Sequence, residues 1–107
     1  MTILFNTDKT INGNERGQSY FTSMIEEGLR NYESHITRVE AHVSDENGKK
    51  EGVKDMRCLL ETRIAGKQPI AVSCQDDTVE LAVSGAIDKL TASLETIIGK
   101  MHNHKPV

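Results

Sequence analysis

Hydrophobic and polar positions follow a helical period most clearly near the C-terminus of the chain. Apolar residues recur there at steps of three and four, and they are Val79, Ala82, Val83, Ala86, Ile87, Leu90, Leu94 and Ile97. Asp77 with Glu80 fits an acidic capping box, and Gly99 suits the position just after a helix. The pattern predicts one long amphipathic helix from Asp77 to Ile98 that needs a sheet to pack on.

The N-terminal third predicts a strand followed by a helix. Ile3 and Phe5 alternate with polar or opposite-facing neighbours, which is typical of a short strand. From Glu15 to Tyr32 the period returns to three and four, with the apolar stripe Tyr20, Phe21, Met24, Ile25 and Leu29. This segment predicts a first helix.

Period-two alternation marks the middle of the chain. It runs from His35 to Asp45, then from Met56 to Ile64, then from Ile70 to Cys74. The charged segment 45–55 between the first two runs predicts a solvated loop. A hairpin centred on Gly66 would place Cys74 opposite Cys58.

The order of these elements predicts an α+β fold, β-α-β-β-β-α. We expect a mostly antiparallel four-stranded sheet with both helices packed on one face. With 107 residues the chain can bury one core, so we expect a single domain at 1–100 and a short tail at 101–107.

Composition narrows the classes of function. The net charge of −3 argues against an indiscriminate polyanion binder. No apolar run reaches the length of a membrane span and the N-terminus lacks a signal-peptide pattern, so we expect a cytoplasmic protein with reduced thiols at Cys58 and Cys74. No catalytic or cofactor motif stands out, and the two ligands of His102-x-His104 lack a third. We therefore expect neither enzymatic activity nor a metal or cofactor.

An ordered set of segments resembles the ribosome hibernation-promoting factor family of ribosome-associated translation inhibitors. The segments are residues 35–48, Arg57-Cys58, residues 65–72, and residues 82–94 with Asp88-Lys89-Leu90. The resemblance covers nearly the whole chain and, because the chain ends at Val107, it is to the short type. It implies a layout related to double-stranded RNA-binding domains. It also implies a non-enzymatic factor that binds the small ribosomal subunit and its RNA in the decoding region and inhibits translation in stationary phase or stress.

Basic side chains are the candidates for contact with RNA phosphates, since such contacts dominate nucleic-acid affinity. The candidates on the strands, the turn and the second helix are Arg38, Arg57, Arg63, Lys67, Lys89 and Lys100. Lys89 matches the family motif, whereas residues 77–98 carry four acids against this one lysine where the family presents a basic ridge. For the basic residues, the alternative that remains open is that they are ordinary solvated positions. For the function, the alternative is a protein-binding or regulatory module with weak or no ribosome affinity, which would use the sheet face opposite the helices.

Overall fold

The structure is a computed structural model that describes residues 1–7, 15–45 and 55–102, with the backbone alone for residues 15, 16 and 100–102. Its elements are β1 (Thr2–Thr7), α1 (Glu15–Gly28), a 3-10 helix (Arg30–His35), β2 (Ile36–Asp45), β3 (Met56–Ile64), β4 (Ile70–Asp76) and α2 (Val79–His102). The α+β order predicted from the sequence is confirmed. Most of the predicted loop, residues 46–54, lies outside the described residues.

The four strands form one sheet in the order β1-β2-β3-β4. β1 pairs parallel to β2, whereas the β2–β3 and β3–β4 pairs are antiparallel. The parallel pair follows from the chain order, because the segment containing α1 returns the chain before β2 begins. The expected mostly antiparallel sheet is confirmed.

The β3–β4 hairpin has the register that the sequence predicted. Cys58 pairs with Cys74, Leu60 with Val72 and Thr62 with Ile70. The turn is closed by a hydrogen bond from the Lys67 amide to the Ile64 carbonyl, 3.1 Å long, and Gly66 adopts a φ of 73°. A positive φ is easy only for glycine, which explains the residue at the centre of the turn.

A bulge near the start of β2 sets which side chains face outward. Ile36 pairs with Ile64 and Arg38 with Arg63, so the register shifts by one residue at Thr37. Thr37 and Arg38 are both exposed between the buried Ile36 and Val39. The extra residue thus turns Arg38 onto the face away from the core.

The core lies between the sheet and the helices on one of its faces. Six residues of the predicted stripe of α2 are buried, namely Ala82, Val83, Ala86, Ile87, Leu90 and Leu94. They meet the inward residues of the central strands, which are Val39, Ala41, Val43, Cys58, Leu60, Thr62 and Ile64. Full burial of one such aliphatic side chain contributes about 1.5–3 kcal/mol, so this layer is the main source of stability.

Two glycines allow the helices to approach their neighbours closely. A Cβ on Gly85 would lie 2.4 Å from the Cys74 Sγ, and one on Gly28 would lie 2.6 Å from the Ile87 Cγ2. Real Cβ atoms essentially never come closer than 3.0 Å to such neighbours. Both glycines therefore make room for packing.

The ends of the helices differ from the sequence predictions. The Thr78 hydroxyl accepts a hydrogen bond of 3.1 Å from the Leu81 amide, so Thr78 and not Asp77 is the N-cap of α2. Gly99 lies inside α2, which continues to His102, because one glycine weakens a helix by only about 1 kcal/mol and does not stop it. The first helix ends at Gly28 and a 3-10 helix follows. None of the helices described is long and apolar enough to span a bilayer.

Candidate nucleic-acid interface

The outer face of the sheet, opposite α1 and α2, carries three of the six predicted basic residues. It is formed by the outward positions of the four strands, which are Thr2, Leu4, Asn6, Arg38, Glu40, His42, Ser44, Arg57, Leu59, Glu61, Arg63, Ala71, Ser73 and Gln75. Alternation along each strand keeps these side chains on one side. The outer face is therefore mainly polar and carries charges of both signs.

One end of the outer face is basic. Arg38 and Arg63 are directly paired across β2 and β3, and Lys67 follows in the adjoining β3–β4 turn. All three residues are exposed. A hydrogen bond of 2.9 Å from the Ala65 amide to the His35 carbonyl ties this turn to the start of β2. We refer to Arg38, Arg63 and Lys67 as the basic end.

Like charges directly opposite each other destabilise a sheet unless a counter-charge is near. Arg38 has such a partner, since its guanidinium pairs with the Glu40 carboxylate on the same strand. The Arg63–Arg38 pairing still places two arginines at directly opposite strand positions. Guanidinium groups hold phosphate or carboxylate oxygens through two parallel hydrogen bonds, so this end is suited to an oxyanion.

The centre of the outer face is acidic and includes a histidine. Glu40 is directly opposite Glu61, and His42 lies two residues along β2 from Glu40. The His42 Nε2 is 2.9 Å from the Glu61 Oε1 and 3.6 Å from the Glu40 Oε2. The ligand atoms of the three residues all lie within 4.8 Å of one another. This grouping was not found from the sequence, which had offered only His102-x-His104 as metal ligands; the side chains of that pair lie outside the described residues.

The other predicted residues are not part of the basic end. Arg57 is on the outer face, in the row of Ser44 and Gln75 at the opposite end of the strands. Lys89 is on α2, and its Nζ donates a hydrogen bond of 2.8 Å to the Ser73 carbonyl on β4. Lys100 is in the last turn of α2, but its side chain lies outside the described residues. The structure thus pairs Arg38 with Arg63 and places Lys67 in the adjoining turn, and it separates the other three predicted residues from them.

Two of the acids on α2 contact tyrosines from the preceding helical segments. The Glu80 carboxylate accepts a hydrogen bond from the Tyr20 hydroxyl, and its charge, with a smaller effect of burial, raises the pKa of Tyr20. Burial, followed by the charge of Glu95, raises the pKa of Tyr32, whose hydroxyl also donates to that carboxylate. Tyr20 is 50% exposed, so it is less of a packing residue than its place on the apolar stripe predicted. These acids therefore link the helical layer together.

The two cysteines are free thiols at paired positions of β3 and β4. Cys58 is fully buried, and Cys74 is partly buried beneath α2. Burial, with a smaller effect of the neighbouring Cys74, raises the pKa of the Cys58 thiol to about 12. A thiol with so high a pKa is protonated at neutral pH and is a poor nucleophile or metal ligand. Cys58 therefore acts as a small core residue.

Two solved structures share this fold over nearly their whole length. The N-terminal domain of Protein Y from Thermus thermophilus has a TM-score of 0.72 at 14% sequence identity, with 91% of this chain and 99% of that chain covered. A ribosomal subunit interface protein from Coxiella burnetii has a TM-score of 0.71 at 12% identity, with 92% and 99% covered. At these identities the likeness is one of fold. No protein-family model matches the chain, and no curated protein matches its sequence.

Proposed function

We propose that this protein is a ribosome-associated factor that binds the small subunit and its RNA in the decoding region and inhibits translation during stationary phase or stress. The observation that carries the proposal is the fold, which is shared over almost the full length with a ribosomal subunit interface protein. The family resemblance of the sequence motifs points in the same direction. At 12% identity, the residues that would bind RNA follow from the surface of this chain itself.

The basic end is the best-placed anchor for RNA phosphates. Arg38, Arg63 and Lys67 are exposed, and the β2–β3 register holds the two arginines at directly opposite positions. Rigid strands hold such groups more precisely than loops, which lowers the entropic cost of binding. Lys89 and Arg57 would add contacts only where RNA also reaches the β4 edge or the far end of the outer face.

The charge distribution limits how the protein can bind RNA. With a net charge of −3 and acids on both the outer face and α2, the chain cannot rely on long-range attraction. Three phosphate contacts would give a salt dependence with a slope of about −2 to −3 in log affinity against log salt. We therefore propose binding to one shaped site, where the fold blocks messenger and transfer RNA sterically without any catalytic step. Such a factor would work in the cytoplasm without a small-molecule substrate.

The test is co-sedimentation with purified small ribosomal subunits over a range of salt. The variant Arg63→Gln/Lys67→Gln removes two charges of the basic end and leaves the Arg38–Glu40 pair in place. Arg30→Gln, in the exposed first position of the 3-10 helix, is the matched control. We expect the wild-type protein and the control to co-sediment alike, and the double variant to bind more weakly, with a salt slope smaller by about 2.

Two results would count against the proposal. Absence of the wild-type protein from the subunit fraction at both low and moderate salt would refute ribosome binding, and unchanged binding of the double variant would refute the role of the basic end. The second candidate function, a protein-binding module, is favoured by the exposed apolar side chains of Tyr20 and Leu81, which are 50% and 49% exposed beside the acidic Glu80. This second function would gain support if the wild-type protein did not bind ribosomes and Leu81→Ser abolished its binding to a partner protein.

A further inference from the structure

The acidic centre of the outer face has the composition and spacing of a metal site. Glu40 and Glu61 are opposite each other on β2 and β3, and both carboxylates approach the same nitrogen, the Nε2 of His42, at 3.6 and 2.9 Å. Ligands of one Zn²⁺ ion lie about 2.0–2.2 Å from the metal, so any two of them are no more than about 4.4 Å apart. The observed separations, all within 4.8 Å, need only small side-chain rotations to reach that geometry.

The His42 Nε2 faces both carboxylates and is shielded from solvent, although the imidazole side chain as a whole is 39% exposed. Its 2.9 Å approach to the Glu61 Oε1 does not have the geometry of a hydrogen bond. Buried polar atoms of this kind usually have a partner, since leaving one without a partner costs stability. A metal ion between the imidazole and the two carboxylates would supply that partner.

Two carboxylate oxygens face the His42 Nε2. Arg38 pairs with the Glu40 Oε1, so the Glu40 Oε2 remains on the His42 side. The Glu61 Oε1 approaches the same nitrogen. A cation between them would contact one oxygen of each carboxylate.

We propose that Glu40, His42 and Glu61 bind a divalent transition-metal ion of the Zn²⁺ type on the outer face of the sheet. One imidazole and two carboxylates are ligands that Zn²⁺ accepts, and a fourth position would be open to water. Magnesium and calcium fit less well, since they prefer sites made of oxygen ligands alone. The proposal concerns the free protein and does not depend on ribosome binding.

Arg38 competes with a metal ion for the Glu40 carboxylate. Its guanidinium occupies one oxygen of Glu40, and its positive charge opposes that of a metal ion. Arg63 lies opposite Arg38 and adds to that opposition. Removing Arg38 should therefore tighten metal binding, whereas a purely structural role of the triad predicts no such gain.

The experiment measures Zn²⁺ binding to the full-length chain by isothermal titration calorimetry at neutral pH. All proteins carry His102→Ala/His104→Ala, because the tail histidines are the other imidazole pair in the sequence. We expect one Zn²⁺ ion per chain, loss of binding in His42→Ala, at least tenfold weaker binding in Glu61→Gln, and tighter binding in Arg38→Met. Glutamine keeps the size of Glu61 and removes its charge.

The control is His35→Ala, since His35 lies at the end of the 3-10 helix, away from the three ligands. Circular dichroism verifies that each variant is folded, and nitrogen NMR of the histidine rings verifies that Zn²⁺ shifts the signal of His42 Nε2 first. The proposal is overturned if the parent protein binds no Zn²⁺, if His42→Ala binds as tightly as the parent, or if His35 is the ring that responds.

Discussion

The close approach of α2 to β4 can be tested with two glycines of the same helix. Gly85 and Gly99 both lie within α2, so replacing either with alanine gives a similar gain in helix propensity, about 0.5–1 kcal/mol. Their surroundings differ. The new Cβ at position 99 meets nothing within 4 Å, whereas at position 85 it would lie 2.4 Å from the Cys74 Sγ and 3.4 Å from the Cys74 Cβ.

The expected magnitudes follow from these distances. Overpacking a filled core typically costs about 1–3 kcal/mol. After the propensity gain, Gly85→Ala should lower the free energy of unfolding by about 1 kcal/mol, and Gly99→Ala should raise it by up to about 1 kcal/mol. For a domain of this size, 1 kcal/mol corresponds to a change in Tm of about 4–8 °C.

The assay is urea unfolding followed by far-ultraviolet circular dichroism, because the chain has no tryptophan. A third variant, Gly85→Ala/Cys74→Ala, removes the sulfur that the new methyl group would meet. Relative to Cys74→Ala alone, Gly85→Ala should then be neutral or stabilising, which gives a coupling energy of 1 kcal/mol or more. If Gly85→Ala and Gly99→Ala stabilise the protein equally, the close packing of α2 on Cys74 is wrong.

Three further predictions concern the stability of the same layer. Thr78→Ala should lower the free energy of unfolding by about 1 kcal/mol, because it removes the N-cap of α2. The control is Thr96→Ala, which should be nearly neutral because the Thr96 hydroxyl only bonds back within α2. Equal urea midpoints for the two variants would exclude the cap. Leu90→Ala, at a fully buried position, should cost about 2–5 kcal/mol, against about 0.5 kcal/mol or less for the half-exposed Leu81→Ala. Burial raises the pKa of Cys58 from 9.0 to about 12, so the stability that the protonated thiol contributes is complete below pH 9 and is lost as pH rises to 12. Cys58→Ala should make the free energy of unfolding fall less steeply over this pH range. Parallel curves of unfolding free energy against pH for the variant and the wild-type protein would contradict this prediction.

Local periodicity was sufficient to predict the elements and one of the registers. The two-residue alternation of β3 and β4 and the glycine at the turn fix the pairing of Cys58 with Cys74, because a short hairpin leaves few alternatives. The stripe of α2 likewise predicted six of its buried residues, whereas Ile98 is buried in place of the predicted Ile97. These features depend on neighbours close in sequence.

The acidic centre could not be found in the same way. Glu40 and His42 share a face by simple alternation, but their approach to Glu61 depends on the β2–β3 register. Residues 46–55 separate those strands, and a connection of that length does not define a register. The bulge at Thr37 then shifts the pairing by one residue, so the partner of Arg38 also had no signal in the sequence.

The caps and close contacts were missed for a different reason. Asp77 and Thr78 are both acceptable N-caps, and only the direction in which the chain leaves β4 decides between them. The roles of Gly28 and Gly85 depend on side chains far away in the sequence, namely Ile87 and Cys74. The six predicted basic residues do not share one face of the molecule, since strand and helix positions face different directions.

The hydrogen bond from Lys89 to the Ser73 carbonyl has a consequence for self-association. β4 is an edge strand, and an exposed edge is a template on which a second chain can add a strand and start an aggregate. The Lys89 ammonium group occupies one of the acceptors that such an incoming strand would need. In the free protein, this hydrogen bond would therefore oppose oligomerisation through the β4 edge. A ligand that drew Lys89 away, such as an RNA phosphate, would expose the Ser73 carbonyl, but only when a larger partner already covers that edge.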